Sequence, residues 1–454
     1  MIQISEHFTY KKLLRYTFPS MVMMVFTSIY GVVDGLFISN FTGKTAFAAV
    51  NFIYPFLMIL GGVGFMFGSG GSALVAKTLG EGDEDQANRI FSALCRTSAL
   101  TGAVLAVLGF IFLRPVASLL GAEGQLLEDC IIYGRVFLLG IPASVIQYEF
   151  QNLFATAGKP KLGLWSTVAS GVMNIILDAL FVGAFGWDLE GAAGATVLSQ
   201  CLGAAVPLIY FGRKNSSLLR LTRPGRQGKA MLKICSNGIS ELLNNISMSV
   251  VSIIYNAQLL RYAGEDGISA YGVIMYVEFL FISIFIGYFV GVSPVISYHF
   301  GARHQDEIRS LLRKSLVIIT VFSLVMFVLS ELTAGPISKI FVGYDRDLFE
   351  MTKRGFLLFS FCYLFSGFAA FGSSFFTALN NGILSAVLSV MRTVVFQILM
   401  VLVLPVIWDL DGIWISTAVS ECLAAILSLA FIAAKRKKYH YGAVRNCAGA
   451  SEEK

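Results

Sequence analysis

Two stretches of this chain, WDLEGAAGATVLSQ at residues 187–200 and WDLDGIWISTAVSE at residues 408–421, stand 221 positions apart. Trp187/Trp408, Asp188/Asp409, Leu189/Leu410, Gly191/Gly412, Thr196/Thr417 and Ser199/Ser420 are identical. The same shift carries outward without gaps. It pairs Gly43 with Gly264, Gly70 with Gly291, Gly80 with Gly301, Asp85 with Asp306, Gly134 with Gly355 and Thr156 with Thr377. A constant offset of this reach marks an internal duplication. Residues 213–233 then link two halves, 1–212 and 234–434, and 435–454 form a tail.

What each half is made of follows from composition. Of the 454 residues 56% are hydrophobic and 14% charged, against about 25% charged in a soluble domain. The mean hydropathy is +0.73. Apolar runs long enough to cross a hydrocarbon core of about 30 Å recur along the whole chain. Helices satisfy their own backbone groups in lipid, so an all-α membrane protein is expected. A transmembrane barrel would show alternating segments of about ten residues, and none is present. Six spans are read at 14–38, 48–77, 91–113, 131–156, 162–185 and 191–212. Six more fall at 231–259, 269–298, 311–330, 354–379, 383–407 and 412–434. Residues 1–13 are polar and lack the pattern of a cleaved leader. Six helices per half insert both halves the same way, so the lobes should be parallel and related by a pseudo-two-fold axis along the membrane normal, with the substrate path between them. Lobes that rock against one another favour a transporter over a channel.

Basic residues set the orientation. With the N-terminus in the cytoplasm, 25 Lys and Arg fall on cytoplasmic segments and 8 on the other side, with Arg392 inside a helix. Arg226 in the linker and Arg445 and Lys454 in the tail are among the 25. Both termini are therefore placed in the cytoplasm of a multi-pass plasma-membrane protein. The net charge of +6 follows from this bias and implies no nucleic-acid partner. The partners expected are small organic substrates and membrane lipids, and the chain is read as a monomer. The seven cysteines, among them Cys447, form no CxxC pair, which argues against a disulfide framework or a zinc site. His7, His299, His304 and His440 are scattered and read as solvated loop residues.

Ionisable residues at membrane depth are costly and point to function. Asn174 and Asp178 are four residues apart and share a helix face. At about 1.5 Å per residue, Asp178 lies roughly 10 Å, Asp34 roughly 6 Å and Thr196 roughly 7 Å below the outer ends of their helices. Two carboxylates, an amide and a hydroxyl at similar depth make an oxygen site for Na⁺ or a proton. The offset partners of Asp34, Asn174 and Asp178 are Tyr255, Val395 and Leu399, so the site belongs to the N-terminal half alone. Near the midplane, Glu149, Glu241 and Glu278 are candidates to line a cavity for organic cations, with Gln151, Tyr30, Tyr255 and Arg392 beside them. Arg392 is a candidate partner for one of these acids, whereas Glu421 reads as packing. Pro19 removes one backbone hydrogen bond from the first helix, so a bend is expected there. The glycines of the second helix, Gly61 to Gly71, suit close helix packing.

On these residues the chain resembles the multidrug and toxic compound extrusion (MATE) family. FPSMVMMVFTSIYGVVDGLFIS, with Pro19 and Asp34, is similar to the family's first helix. QNLFATAGKPKL resembles its Q-x-x-L-x-x-x-G-x-P segment, and NIILDALFV followed by WDLEGAAGATVLSQ its helix 5–6 signature. The resemblance covers the whole chain. It implies two parallel six-helix lobes, an N-lobe cation site at Asp34, Asn174, Asp178 and Thr196, and export of organic cations in exchange for H⁺ or Na⁺ by rocker-switch motion, with no other cofactor. Ser249, and the lack of any acid between Gly355 and Asn380, depart from the NorM-like branch; the DinF-like and MepA-like bacterial exporters fit better. A lipid-linked oligosaccharide flippase of the same superfamily is the alternative. It would want a cationic cavity, and the mid-helix charges here are mainly acidic. A major-facilitator fold would want a basic loop where residues 79–90 read LGEGDEDQANRI. An enzyme would need a nucleophile–base pair or metal cluster at membrane depth.

Overall fold

The computed structural model describes residues 4–42, 44–225, 227–439 and 441; Gly43, Arg226, His440, Arg445, Cys447 and Lys454 lie outside them. In the first half, α1 is Tyr10–Phe41, α2 Lys44–Gly80 and α3 Glu84–Leu119. The fourth span, α4, joins Gly124–Leu139 to Ile141–Thr156 with a bend of 59°. The fifth, α5, runs Pro160–Asp178 and ends in a π-helical turn, Ala179–Ala184. The sixth, α6, is Asp188–Gly212.

The second half repeats this with its turns drawn tight. The helical run Gly228–Gly301 has 74 residues. A straight helix of that length would be about 110 Å long, several times the hydrocarbon core of about 30 Å. Gly264, at φ 64° and ψ −152°, breaks it into α7 (228–263) and α8 (265–301), in a conformation open to glycine. Next come α9 (Gln305–Val342) and α10, whose pieces Arg346–Ser360 and Tyr363–Ala378 meet at 47°. The run from Gly382 contains a π turn at Met391–Phe396 and breaks at Trp408 and Asp409. That break separates α11 (382–407) from α12 (410–435). Twelve spans result among the described residues, and no strand.

The duplicated motif is the turn between the fifth and sixth spans of each half. Asp188 and Asp409 both take positive φ, 41° and 48°, and Asp409, at ψ −132°, lies outside the left-handed helical region, a strained conformation for a residue with a side chain. A Cβ on Gly412 would stand 2.3 Å from the Leu404 carbonyl oxygen, and one on its counterpart Gly191 would press on Trp187 and Phe181 at 3.0–3.1 Å. Gly82 and Arg303, also 221 apart, share positive φ. One local slip occurs. Gly158 and Asn380 take positive φ at an offset of 222, because α10 (346–378) is as long as α4 (124–156) but begins and ends 222 residues after it. The π turns, Ala179–Ala184 and Met391–Phe396, also fall at different places in their spans.

The halves meet through glycine. A Cβ on Gly80 would come 2.0 Å from the Tyr298 oxygen, and one on Gly301 2.0 Å from the Lys77 oxygen. Each of these residues is the repeat-mate of its opposite number, so the pseudo-two-fold axis passes between them. Gly70 lies against Ile234 and Gly238 of α7, and Gly238 against Met66. Gly287 and Gly291 of α8 lie against Met21 and Thr17 of α1. All these contacts are in the half of the bundle that carries the termini. Toward the other end, Gly31 and Gly35 of α1 and Gly272 of α8 have nothing within 4 Å. The glycine contacts close the lobes at the terminal end, and open space surrounds Gly31, Gly35 and Gly272 toward the opposite one. The α2 glycines serve a second face too: Gly64 and Gly68 pack on Val145 and Glu149 of α4.

Three segments tie the closed end together. Residues 4–9 cross to the second half, where the Phe8 N–H donates to Glu307 Oε1 at 3.0 Å and His7 Nδ1 lies 2.5 Å from Glu307 Oε2. Ile4 and Phe8 are fully buried there, and the Lys314 ammonium donates to the Phe8 carbonyl. The linker lies along α3, with Arg220 N–H donating to Asn88 and Thr222 N–H to Ser92. The tail returns onto α10 and α12 through Tyr439 and Tyr441. Apolar side chains such as Val107 and Ile111 of α3 or Val321 and Leu324 of α9 face outward, as a lipid-facing belt requires.

Candidate functional site

Asp34, Asn174 and Asp178 come together between α1 and α5. Gly171 allows it: a Cβ there would lie 2.6 Å from the Phe26 ring and 3.0 Å from the Tyr30 ring. The Asp34 carboxyl group meets both Asp178 and Asn174. Asp178 and Asn174 are 0% and 1% exposed. Both Asp178 oxygens, both Asn174 amide atoms and one Asp34 oxygen are buried without a hydrogen-bond partner. Ionised carboxylates only accept, so two of them facing one another in a dry interior need a shared proton or a cation. The oxygens present suit either. The π turn that follows Asp178 ends the regular helix at this point.

Two neighbours differ from expectation. Thr196 spends its hydroxyl proton on the Ala192 carbonyl of its own helix at 3.1 Å and makes no hydrogen bond to Asp34 or Asp178 among the described residues. Tyr30, read as a cavity residue, sits one turn from Asp34 against Gly171 and belongs to this cluster. Pro19 lies within α1, which stays one continuous helix through it; the expected bend is not a break, because the lost hydrogen bond is a single one in 32 residues.

The cavity candidates divide. Glu241 shares an α7 face with Ile234, Gly238 and Asn245, the face that meets Met66, Gly70 and Gly62 of α2 across the seam between lobes, and it is half-buried. Glu278 lies about half a turn from the seam face of α8, toward Arg392 and Glu421 inside the second lobe. Glu149 is fully buried in the first lobe, between α2, α3 and α4, and not at the cavity. Gln151 is likewise buried, with both amide atoms unpartnered. Tyr255 is buried in the second lobe, its hydroxyl 2.6 Å from both Ser416 and Thr417 and its ring stacked on Tyr271. Burial in these cases reflects the inward-facing side of each helix, which membrane depth alone cannot tell from the cavity side.

Arg392 pairs with Glu421, its Nε donating to both carboxylate oxygens at 3.0 and 2.9 Å. Neither is expected from the sequence, where Glu421 reads as packing and Arg392 as a partner of the midplane acids. A serine network also escaped reading. Ser373 Oγ lies 2.8 Å from Ser385 and 2.9 Å from Ser389, and Ser385 reaches Thr377 and Ser240. Its signal was present as two i, i+4 pairs, 373/377 and 385/389. Of the histidines, His7 and His304 are exposed outside helices as expected, whereas His299 is not. His299 is 2% exposed, and its Nδ1 lies 3.3 Å from His304 Nδ1. These two and His7 line a cavity of about 600 Å³ at the terminal end. Among the described residues no group of three His, Cys, Asp or Glu is arranged to hold a metal.

Comparison with known proteins agrees with this geometry. The family model described as MatE matches residues 19–180 and again 242–403, one match in each half. The chain is 25% identical to the multidrug export protein MepA of Staphylococcus saprophyticus over 431 residues, covering 93% of each. It is 25% identical to the MepA of Staphylococcus haemolyticus over 446 residues, covering 96% of each. It superposes with a TM-score of 0.91, at 21% identity and over 97% of this chain and 98% of the other, on a structure described as the outward-facing conformation of a multidrug resistance MATE family transporter of the MOP superfamily. With two copies of the family's helical unit facing one another across a glycine seam, the chain belongs to the MatE family of multidrug efflux transporters.

Proposed function

We propose that this membrane transporter is an antiporter that exports organic cations in exchange for H⁺ or Na⁺, and that Asp34 and Asp178 are its coupling pair. The observation that carries the reading is the convergence of two carboxyl groups and an amide in one buried cluster, where they face one another and no basic side chain among the described residues. One proton or cation relieves the repulsion between the carboxylates. Its binding then favours one arrangement of α1 against α5, and its loss another, which shifts the transporter between states by the difference in affinity. Asn174 supplies a neutral oxygen. Thr196 is close in sequence register but takes no direct part in this conformation.

Placing the Lys- and Arg-rich end in the cytoplasm of a plasma membrane makes the closed end cytoplasmic and the conformation outward-facing. Exchange then proceeds as the lobes rock about the Gly80–Gly301 axis. Glu241 at the seam gives the cavity its preference for cationic substrates. Because the mid-helix Arg392 is engaged by Glu421, it is not free to hold a pyrophosphate-linked lipid, which favours drug export over a flippase. The decisive measurement is ethidium efflux from vesicles holding the reconstituted protein, with imposed proton or sodium gradients. Asp34→Asn should remain folded and lose gradient-driven efflux; unchanged efflux in that variant refutes the coupling role.

A further inference from the structure

We propose that Glu149 is a second proton-carrying group, separate from the Asp34–Asp178 pair, and that it exchanges its proton toward the end of the bundle that carries the termini. This rests on the antiport reading and extends it. Glu149 is 0% exposed. Its neighbours are Gly68 of α2, whose Cβ would fall 2.9 Å from the Glu149 carbonyl, and Cys95 of α3, whose thiol donates to Oε1 at 3.4 Å. The Ser98 hydroxyl is beside it. Oε2 and the Ser98 oxygen are buried with no partner. Cys95 is the titratable group that faces it; no Lys, Arg or His does among the described residues. A carboxylate left unpaired in such a place is costly, so the group holds its proton in this conformation. A thiol and one hydroxyl cannot supply the six or so oxygens that a hard cation takes, so the ion carried is H⁺.

The duplication serves as an internal control. The offset partners of Gly68, Cys95 and Ser98 are Phe289, Leu316 and Ile319, and Glu149 falls on Ala370 by the 221-residue offset and on Phe371 by the 222-residue register of the helical piece 363–378. In the second lobe that layer is filled by rings, Phe289 lying 6.3 Å from Phe285 and 5.8 Å from Phe371. The fold therefore has no need of an acid here. Depth separates the two sites as well. Glu149 is seven residues from the terminal-end finish of α4 at Thr156, about 10 Å. Asp178 is six residues from the opposite end of α5 at Ala184. When the lobes part at the terminal end, water reaching α2–α4 accepts the Glu149 proton as hydronium and leaves the carboxylate. Closure returns a proton to the same oxygen.

The test uses the full chain in vesicles with ethidium as probe. Gradient-driven efflux is compared with ethidium exchange at zero gradient, and pH-difference infrared spectra are recorded in parallel. Glu149→Gln should keep zero-gradient exchange, lose gradient-driven efflux and remove one step from the pH profile. The wild-type spectrum should contain a protonated-carboxyl band that disappears in Glu149→Gln and shifts in Cys95→Ala, together with the S–H band. Wild-type efflux and pH profile in Glu149→Gln overturn the proposal, as does equal loss of exchange and efflux, which marks a structural role. Asp34→Asn run alongside separates the two readings. If it retains gradient-driven efflux the coupling pair is wrong, while the infrared band still decides whether Glu149 carries a proton.

Discussion

The two lobes share a backbone and differ in what they bury. The first lobe holds acids without cations: Asp34 against Asp178, and Glu149 with a thiol. The second holds an ion pair, Arg392 with Glu421, a hydrogen-bonded tyrosine at the position matching Asp34, and a linked set of serines. A duplicated scaffold that packs well with Tyr255 in one copy does not require an aspartate in the other. The ion pair, the tyrosine and the serine set of the second lobe are mutually satisfied, as structural groups are, although hydroxyls elsewhere in it, Ser323 and Tyr363 among them, are buried without a partner. The acids of the first lobe are left open, as groups that take up and release an ion must be. On the proposed antiport reading, the first lobe exchanges ions and the second holds shape.

The comparison breaks most visibly at Asp178. Asp178→Asn should abolish gradient-driven ethidium efflux while leaving expression and melting temperature close to wild type. Near-normal efflux would mean that the open carboxyls of the first lobe are as structural as those of the second. Next in size is the ion pair. Arg392→Ala leaves the Glu421 carboxylate buried alone and should cost about 3–5 kcal/mol, read as a large drop in melting temperature in detergent. The double variant Arg392→Met/Glu421→Leu should recover most of it. No recovery would show that the pair does more than hold the second lobe together. The seam between the lobes comes third. Gly80→Ala forces a Cβ onto the Tyr298 carbonyl and should destabilise the closed terminal end by about 1–3 kcal/mol. Spin-label distances across that end should lengthen, and Gly301→Ala should match it, since the two positions are repeat-mates. Unequal shifts would argue against a rocking axis between them. The smallest effect expected is for Tyr255→Phe, which removes one hydroxyl shared with Ser416 and Thr417 and should cost about 1 kcal/mol without altering transport.

Much of the architecture was legible because it rests on long-range regularities. The 221-residue offset located both copies of the Trp-Asp-Leu turn, and hydropathy located every span. The slip at Gly158/Asn380 was not legible, since a one-residue shift of α10 against α4 leaves no trace in the 221-residue identities that flank it. Asp34, Asn174 and Asp178 were found from depth and helical spacing, and the structure brings them together. Thr196 passed the same depth test yet bonds to its own helix. Membrane depth is a single coordinate; the direction a side chain takes around its helix is another. For that reason Glu149, Gln151 and Tyr255 were assigned to a cavity when their helices turn them inward. Arg392 and Glu421 are 29 residues apart on neighbouring spans, and no spacing rule joins them.

The arm at residues 4–9 has a consequence for how the protein is made. Phe8 donates its N–H to a residue 299 positions further along the chain. At a synthesis rate of about 5–20 residues per second, the arm is complete some 15–60 s before Glu307 emerges. During that interval Ile4 and Phe8, buried in the finished protein, have no protein surface to cover them. A nascent chain must therefore park them, on the lipid headgroups or a holding factor, until the ninth helix arrives. An amino-terminal fusion would interfere with this late docking in a way that a fusion at the other terminus would not.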